Sequence, residues 1–257
     1  MKLLPNMNYR RLAWVGFLLL VAAIFVVSRT KRKNSLAQGV EVEVVPLEDG
    51  NKLISERDVR QAILQSFGSD LEGTYLRNLE VERMETTLEE DPFVEDADAY
   101  MDQNSVLHLK VQQREPVLRV LDNNGGNYYL DQAGKKMPPS KIFAARVLIA
   151  TGNVAPYSSD FMAKRRHSLK DVFKVVQAIR EDDFLNGFIQ QIHVNNAGEL
   201  VLVPLIGNQK ILLGNSRKLE DKLERLKTFY KQAMPYTGWR MYETINLKYN
   251  GQVVCKK

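Results

Sequence analysis

The sequence predicts an α+β fold: a single N-terminal transmembrane helix, a compact β-α-α-β-β module, then a mixed β-sheet domain with flanking helices. Three observations predict it: one charge-free apolar run near the start, several segments of alternating apolar and polar residues, and four segments of helical spacing set among them. The boundaries read as a tail over 1–11, a membrane helix over 12–28, a polar stalk over 29–38, a first module over 39–115 and a second over 116–257.

The apolar run LAWVGFLLLVAAIFVVS occupies 12–28 without a charge. At about 1.5 Å per helical residue it nearly spans a hydrocarbon core of about 30 Å. Tyr9 and Trp14 suit the headgroup level, and Arg10, Arg11, Arg29 and Lys31 can snorkel at the two ends. The basic run Arg29 to Lys33 separates the apolar stretch from the small residues Ser35 and Ala37, so a retained anchor is expected, not a cleaved leader. Four basic side chains follow the span and three precede it, so charge bias alone does not orient it.

The net charge of +5 misleads as a whole-chain figure. Seven basic residues and no acid lie in positions 1–33, which leaves 29 basic against 31 acidic side chains in the body. A module that binds phosphate backbones concentrates basic groups on itself, and this body has no such excess. No nucleic-acid role is expected. The one dense basic cluster, Lys164-Arg165-Arg166-His167, reads as a solvated loop.

In the first module Val40, Val42 and Val44 alternate with Glu41 and Glu43, the period of a half-buried strand. Ser55 with Asp58 resembles a capping box, and Val59, Ile63 and Phe67 follow on one helical face. Val81, Met84 and Leu88 mark a second helix that ends before Asp91-Pro92. Phe93 to Met101 and Val106 to Gln113 flank the turn formers 102–105 and read as a hairpin, with His108 on its wet face. Strand, helix, helix, strand, strand buries itself by laying both helices on one face of a three-stranded sheet.

The second module begins at Gln113-Arg114-Glu115-Pro116-Val117-Leu118-Arg119, where Pro116 suits a junction because it cannot donate to a ladder. Asn127 to Asp131 and Gly134 follow, and Asp131 with Gly134 fits the ends of a type I turn. Ser168 and Asp171 resemble another capping box, ahead of the stripe Leu169, Phe173, Val176 and Ile179. Strands are expected at 189–195, 199–204 and 209–213, and a fourth helix on Leu219, Leu223, Leu226 and Tyr230. A terminal strand closes the chain between Met241 and Val254, with Ile245, Leu247 and Tyr249 opposite Asn246 and Lys248.

Catalytic signatures are absent from the sequence. The three histidines, His108, His167 and His193, are scattered, and neither a nucleophile elbow nor a His-Glu-x-x-His helix occurs. One cysteine, Cys255, allows no internal disulfide and, with those histidines, no zinc-ligand spacing. Gly125-Gly126 is a turn without phosphate-loop spacing, and Asp182-Asp183 and Glu89-Glu90-Asp91 read as solvated helix ends. The expectation is a protein that is not an enzyme and needs no cofactor.

The element order of residues 40–115 is that of a POTRA domain. Asp91-Pro92-Phe93-Val94 with Ala97, the 113–119 junction, Asn127 to Asp131 with Gly134 and Pro138, and the closing strand together resemble the bacterial cell-division family FtsQ/DivIB across nearly the entire chain. The closing strand departs from the family pattern, with Asn246 and Lys248 where Asp and Arg are usual. The resemblance implies a noncatalytic scaffold in the cytoplasmic membrane, its N-terminus cytoplasmic and its body periplasmic. It implies recruitment of FtsB, which travels with FtsL, by strand addition to an exposed sheet edge. Carried onto this sequence, the contacts are Lys248 and Tyr249, with Asn246 and Gly251 as neighbours. Lys offers a point charge where Arg offers a planar fork. The alternative is a POTRA-containing component of an outer-membrane assembly or secretion system, against which the two helical segments after Pro116 speak.

Overall fold

The computed structural model describes residues 14–24, 36–68, 71–239 and 241–257. The tail, the ends of the apolar segment 12–28 and most of the stalk lie outside the described residues. Within that segment residues 14–24 are helical and exposed throughout. No helix among the described residues is long and apolar enough to cross a membrane.

The chain divides into two compact units, one running to Val45 and resuming over Ile54–Gln113, the other comprising Pro46–Leu53 and Arg114–Lys257. In the first, strands β1 (Gly39–Val45), β2 (Val94–Met101) and β3 (Val106–Gln113) form a sheet in the order β1-β3-β2, parallel at one border of β3 and antiparallel at the other. Helices α1 (Glu56–Phe67) and α2 (Val81–Glu89) cover it. Ser55 closes the expected capping box with Asp58, and Gly68 ends α1 in a left-handed conformation. Val59, Ile63, Met84 and Leu88 meet Val44, Leu107, Leu109 and Val111 in one core. Gln113 is buried there and bonds both sides of the 46–53 excursion: its Nε2 donates to Val45 O at 2.7 Å and its Oε1 accepts from Ile54 N at 3.2 Å.

His108 is not simply solvated. It is half-buried, stacked on Tyr100 at 5.0 Å, with Nδ1 3.3 Å from Glu41 and Nε2 3.7 Å from Asp102. An outward residue on a central strand has neighbours on both sides, and here both neighbouring strands supply one.

The second unit is built on nine strands: β4 (Pro116–Asp122), β5 (Asn127–Asp131), β6 (Lys136–Met137), β7 (Leu148–Gly152), β8 (Ile189–Val194), β9 (Leu200–Pro204), β10 (Lys210–Gly214), β11 (Thr244–Asn246) and β12 (Val254–Lys256). Their order is β12-β11-β10-β9-β8-β7-β4-β5-β6, with parallel pairing at β4/β7, β7/β8 and β10/β11 and antiparallel pairing elsewhere. Helices α3 (Ser168–Arg180), α4 (Asp183–Phe188) and α5 (Leu219–Thr228) bury apolar faces, after which a π-helical turn (Phe229–Ala233) leads into α6 (Met234–Thr237). The stripe Leu169, Val172, Phe173, Val176 and Ile179 is buried against Leu118, Val120, Ile192 and Leu202. At the start of the unit Arg114 pairs with Asp131 at 3.1 Å, and the Asp131 carboxylate also accepts from Ala133 and Lys135 N–H groups across the turn into β6.

Three expectations are corrected. The capping box at Ser168 does not form: His167 is the cap position, the Ser168 hydroxyl accepts from Ala155 N at 2.7 Å, and Asp171 accepts from Ser216. Asp182 is no idle solvated acid, since it caps α4 through Leu185 N at 3.0 Å and receives Lys227 at 2.6 Å. The continuous terminal strand from Met241 to Val254 breaks after Asn246, and the chain folds back as β12 against β11.

Candidate functional site

The closing hairpin decides which backbone is free at this end of the sheet. β11 is enclosed, with Lys210, Ile211 and Leu212 of β10 on one flank and Val254, Cys255 and Lys256 of β12 on the other. β12 pairs among the described residues with β11 alone and forms the border. Ile245 and Leu247 explain the register: both are fully buried, so alternation fixes the face of β11, and Leu247 N still donates to Leu212 O at 3.0 Å beyond the last paired residue. Asn246 then turns the chain by accepting Lys248 N at 3.0 Å on its side-chain oxygen. Gly251 sits in the left-handed region at φ 67°, a conformation with little cost only for glycine.

Polar side chains from outside the hairpin hold its seven-residue connection, 247–253. Arg225 of α5, its guanidinium oriented by Asp221 at 3.0 and 3.1 Å, donates to the carbonyls of Tyr249 (3.0 Å), Leu247 (3.4 Å) and Gln252. Lys248 Nζ donates to Glu199 Oε1 at 2.9 Å and Lys218 Nζ to Asn250 Oδ1 at 3.3 Å. The Lys248 ammonium holds the Glu199 carboxyl below the usual glutamate range. Behind them the buried Lys222 caps the end of β10, donating to Leu213 O at 2.9 Å and Asn215 O at 2.8 Å; burial lowers its pKa. The Lys248 stem lies over Gly214 so closely that a Cβ there would meet its Cδ at 2.9 Å.

Of the four residues singled out in the sequence, Lys248, Tyr249 and Gly251 lie on this connection and Asn246 ends the enclosed strand. They are brought together, but none is on the free strand, and Tyr249 is 55% exposed, not packed beside Ile245 and Leu247. The border strand itself is Val254–Lys256, where Cys255 faces the core and burial raises its thiol pKa. Sequence reading missed Arg225 and β12. The signal for β12 was present: Asn250-Gly251 is a strong turn dipeptide between apolar runs. Nothing in the sequence marks Arg225, because three main-chain acceptors leave no residue-type signature.

Two surface depressions adjoin the hairpin. One, of about 600 Å³, runs between α5 and the connection and is lined by Glu220, Glu224, Phe229 and Val253. The other, of about 460 Å³, is lined by Glu199, Arg217, Lys218 and Lys248. Among the described residues no group of three His, Cys, Asp or Glu side chains is arranged to hold a metal ion.

A three-stranded sheet of POTRA-like order and a nine-stranded mixed sheet with an open C-terminal border place the chain in the class of modular α+β proteins built of two sheet units. Comparison with known families gives the particular one: residues 115–256 match the family described as FtsQ/DivIB, C-terminal related, and residues 35–112 match a POTRA-like domain. The chain belongs to the FtsQ/DivIB family, whose members are cell-division scaffolds of a noncatalytic type, generally anchored in a membrane. No curated protein matches the chain.

Proposed function

We propose that this chain is a noncatalytic divisome scaffold that captures the FtsB/FtsL pair by strand addition at the outer border of β12. Residues 12–28 anchor it in the cytoplasmic membrane, residues 1–11 lie in the cytoplasm and the body lies outside. The observation that carries the reading is the sheet order, in which Val254–Lys256 is a border strand with one paired side. Unpaired N–H and C=O groups accept a partner strand, and main-chain bonds supply affinity while flanking side chains supply selection.

Lys248 and Tyr249 lie on the connection that presents the border, with Asn246 and Gly251 shaping it. Tyr249 offers an exposed ring and Lys248 an ammonium already leaning on Glu199. The bond count limits what the border alone contributes. Main-chain groups of successive strand residues face opposite flanks, and Lys256 O already accepts from Glu243 N, so of the three residues only Cys255 turns its main-chain groups outward. The border therefore offers about two main-chain bonds, each worth about 0.5–1.5 kcal/mol net, whereas micromolar binding needs about 8 kcal/mol. Side-chain contacts must supply the rest.

Co-purification of the full chain with the FtsB/FtsL pair tests the reading. Removal of residues 254–257 and the single change Cys255→Pro, which removes a border N–H, should each abolish capture, and Tyr249→Ala should weaken it by about tenfold. Undiminished capture by the truncated chain, with the rest of the fold intact by circular dichroism, would end the strand-addition mechanism.

A further inference from the structure

The 46–53 excursion, which belongs to the larger unit, closes a cleft of about 190 Å³ at the starts of β4 and β7. Parallel pairing of these strands begins only at Leu118 and Leu148, and Pro116 has no N–H to extend it, so the ladder stops and leaves room. The excursion is a tight turn. Leu47 N donates to Asn51 O and Gly50 N to Leu47 O, both at 2.8 Å, while Asp49 Oδ1 accepts from Asn51 N at 2.9 Å. Its far end is pinned by Ser140 Oγ, which donates to Leu53 O at 2.5 Å. The wall it contributes is therefore formed before any ligand arrives.

The lining has two chemistries. Leu47, Val117 and Leu148 are buried and make its apolar part, whereas Glu48, Glu115, Arg146 and Arg180 supply charge of both signs. Neither guanidinium makes a hydrogen bond or an ion pair among the described residues. Glu115 is half-buried and accepts one weak bond, from Glu48 N at 3.4 Å. Burial and the like charges of Glu48 and Asp49 push its carboxyl above the usual glutamate range, and Arg180 pulls the other way without touching it. Opposite charges on a common cleft normally close on one another, because a partly desolvated charge left unpaired costs free energy. Here they line one cavity without pairing, and a molecule that carries both charges would complete them.

We propose that this cleft binds a small zwitterion, a free α-amino acid with a short aliphatic side chain. Glu115 and Glu48 take its ammonium, Arg146 and Arg180 take its carboxylate, and the side chain rests on Leu47, Val117 and Leu148. Size supports a single small molecule: the cleft holds about six waters at about 30 Å³ each and falls short of the about 300–1,000 Å³ of sites for larger ligands. An inorganic anion would satisfy the arginines and leave the carboxylates facing it, and a simple amine would do the reverse. The cleft lies six places from β12 in the order of the sheet, and its occupancy is separate from strand capture there.

The test titrates L-valine into the full chain in detergent and follows binding by saturation-transfer NMR. Isobutylamine and isovalerate, which keep the aliphatic group with one charge each, are titrated alongside. Expected is a Kd on the order of 1 mM for valine and a loss of about tenfold or more for each single-charge analogue. Glu115→Gln and Arg180→Gln should each weaken valine by about tenfold. The Tm of Glu115→Gln should equal or exceed that of the wild type, because an uncharged amide of the same shape replaces a half-buried carboxylate. Arg146→Gln, at an exposed position, repeats the carboxylate arm should Arg180→Gln lower Tm. Affinity for isobutylamine or for isovalerate equal to that for valine makes this a site for one charge and overturns the zwitterion. Absence of valine binding, or binding untouched by both Glu115→Gln and Arg146→Gln, overturns the site itself.

Discussion

The middle of the large sheet and its C-terminal border are held by different physics. β8, β9 and β10 have five or six residues each and bury Ile192, Val194, Leu200, Leu202, Ile211 and Leu213 under α3 and its neighbours. β11 and β12 have three residues each, and beyond Ile245 and Leu247 the hairpin is held by Arg225, Lys248 and Lys218 on main-chain and side-chain oxygens. Apolar burial carries no charge, so the middle does not respond directly to pH. Polar pins at a wet margin are weaker singly and can be released without unfolding the rest, which suits a border proposed to accept a new strand.

The largest effect that sharpens this contrast belongs to the middle. Ile211→Ala removes a fully buried side chain that lies between Leu202 and Ile245, and it should cost about 2–5 kcal/mol of global stability in a denaturant titration. A cost below 1 kcal/mol, in the range of surface substitutions, would deny that apolar burial governs the middle strands. At the border, Arg225→Met keeps the stem but leaves the Leu247, Tyr249 and Gln252 carbonyls without that donor. It should cost about 1–3 kcal/mol locally, read as faster amide exchange over 245–256 with the β8–β9 amides unchanged. Equal acceleration in both regions would erase the distinction. Gly214→Ala acts on the same margin from behind: its φ of 78° and a 2.9 Å approach to Lys248 Cδ predict about 1–2 kcal/mol and a displaced Lys248, visible as a lost Lys248–Glu199 coupling in a double-mutant cycle.

The same contrast decides what could be read in advance. Segments with one wet face advertised themselves: Val40 to Val44, Leu107 to Val111 and the Leu169 to Ile179 stripe all alternate at their proper period and all form. β7 does not, because its half-buried face carries the apolar Ile149 while its buried face carries the small Ala150 and Gly152, so residue types do not mark which face is wet. α4 was hidden by its length of six residues and by an N-cap, Asp182, that looks like any surface acid. At the candidate site, Ile245 and Leu247 were legible as a buried face, and Lys248, Tyr249, Asn246 and Gly251 do gather at one connection. The reversal after Asn246 is masked although Asn250-Gly251 signals it, because a long strand accounts equally well for the alternation up to Tyr249. Arg225 was out of reach, since its partners are carbonyl groups common to every residue.

The smallest expected effect is also the most specific to the border. Glu199 is held below the ordinary glutamate value of 4.5 by its bond to Lys248, so the folded hairpin favours the carboxylate. The stabilisation from that pair is therefore fully present above the unfolded glutamate range and is lost as pH falls through the lowered folded value. Both side chains are about two-fifths exposed, which screens the pair, so the term is a few tenths of a kcal/mol. Amide exchange at 246–250 should quicken, relative to β8–β9, as pH falls from 6 towards about 3.5 after correction for intrinsic rates, and Lys248→Met should abolish that difference. A pH response that persists in Lys248→Met would assign it to another carboxylate and would remove Lys248 from the set of groups that hold the border in place.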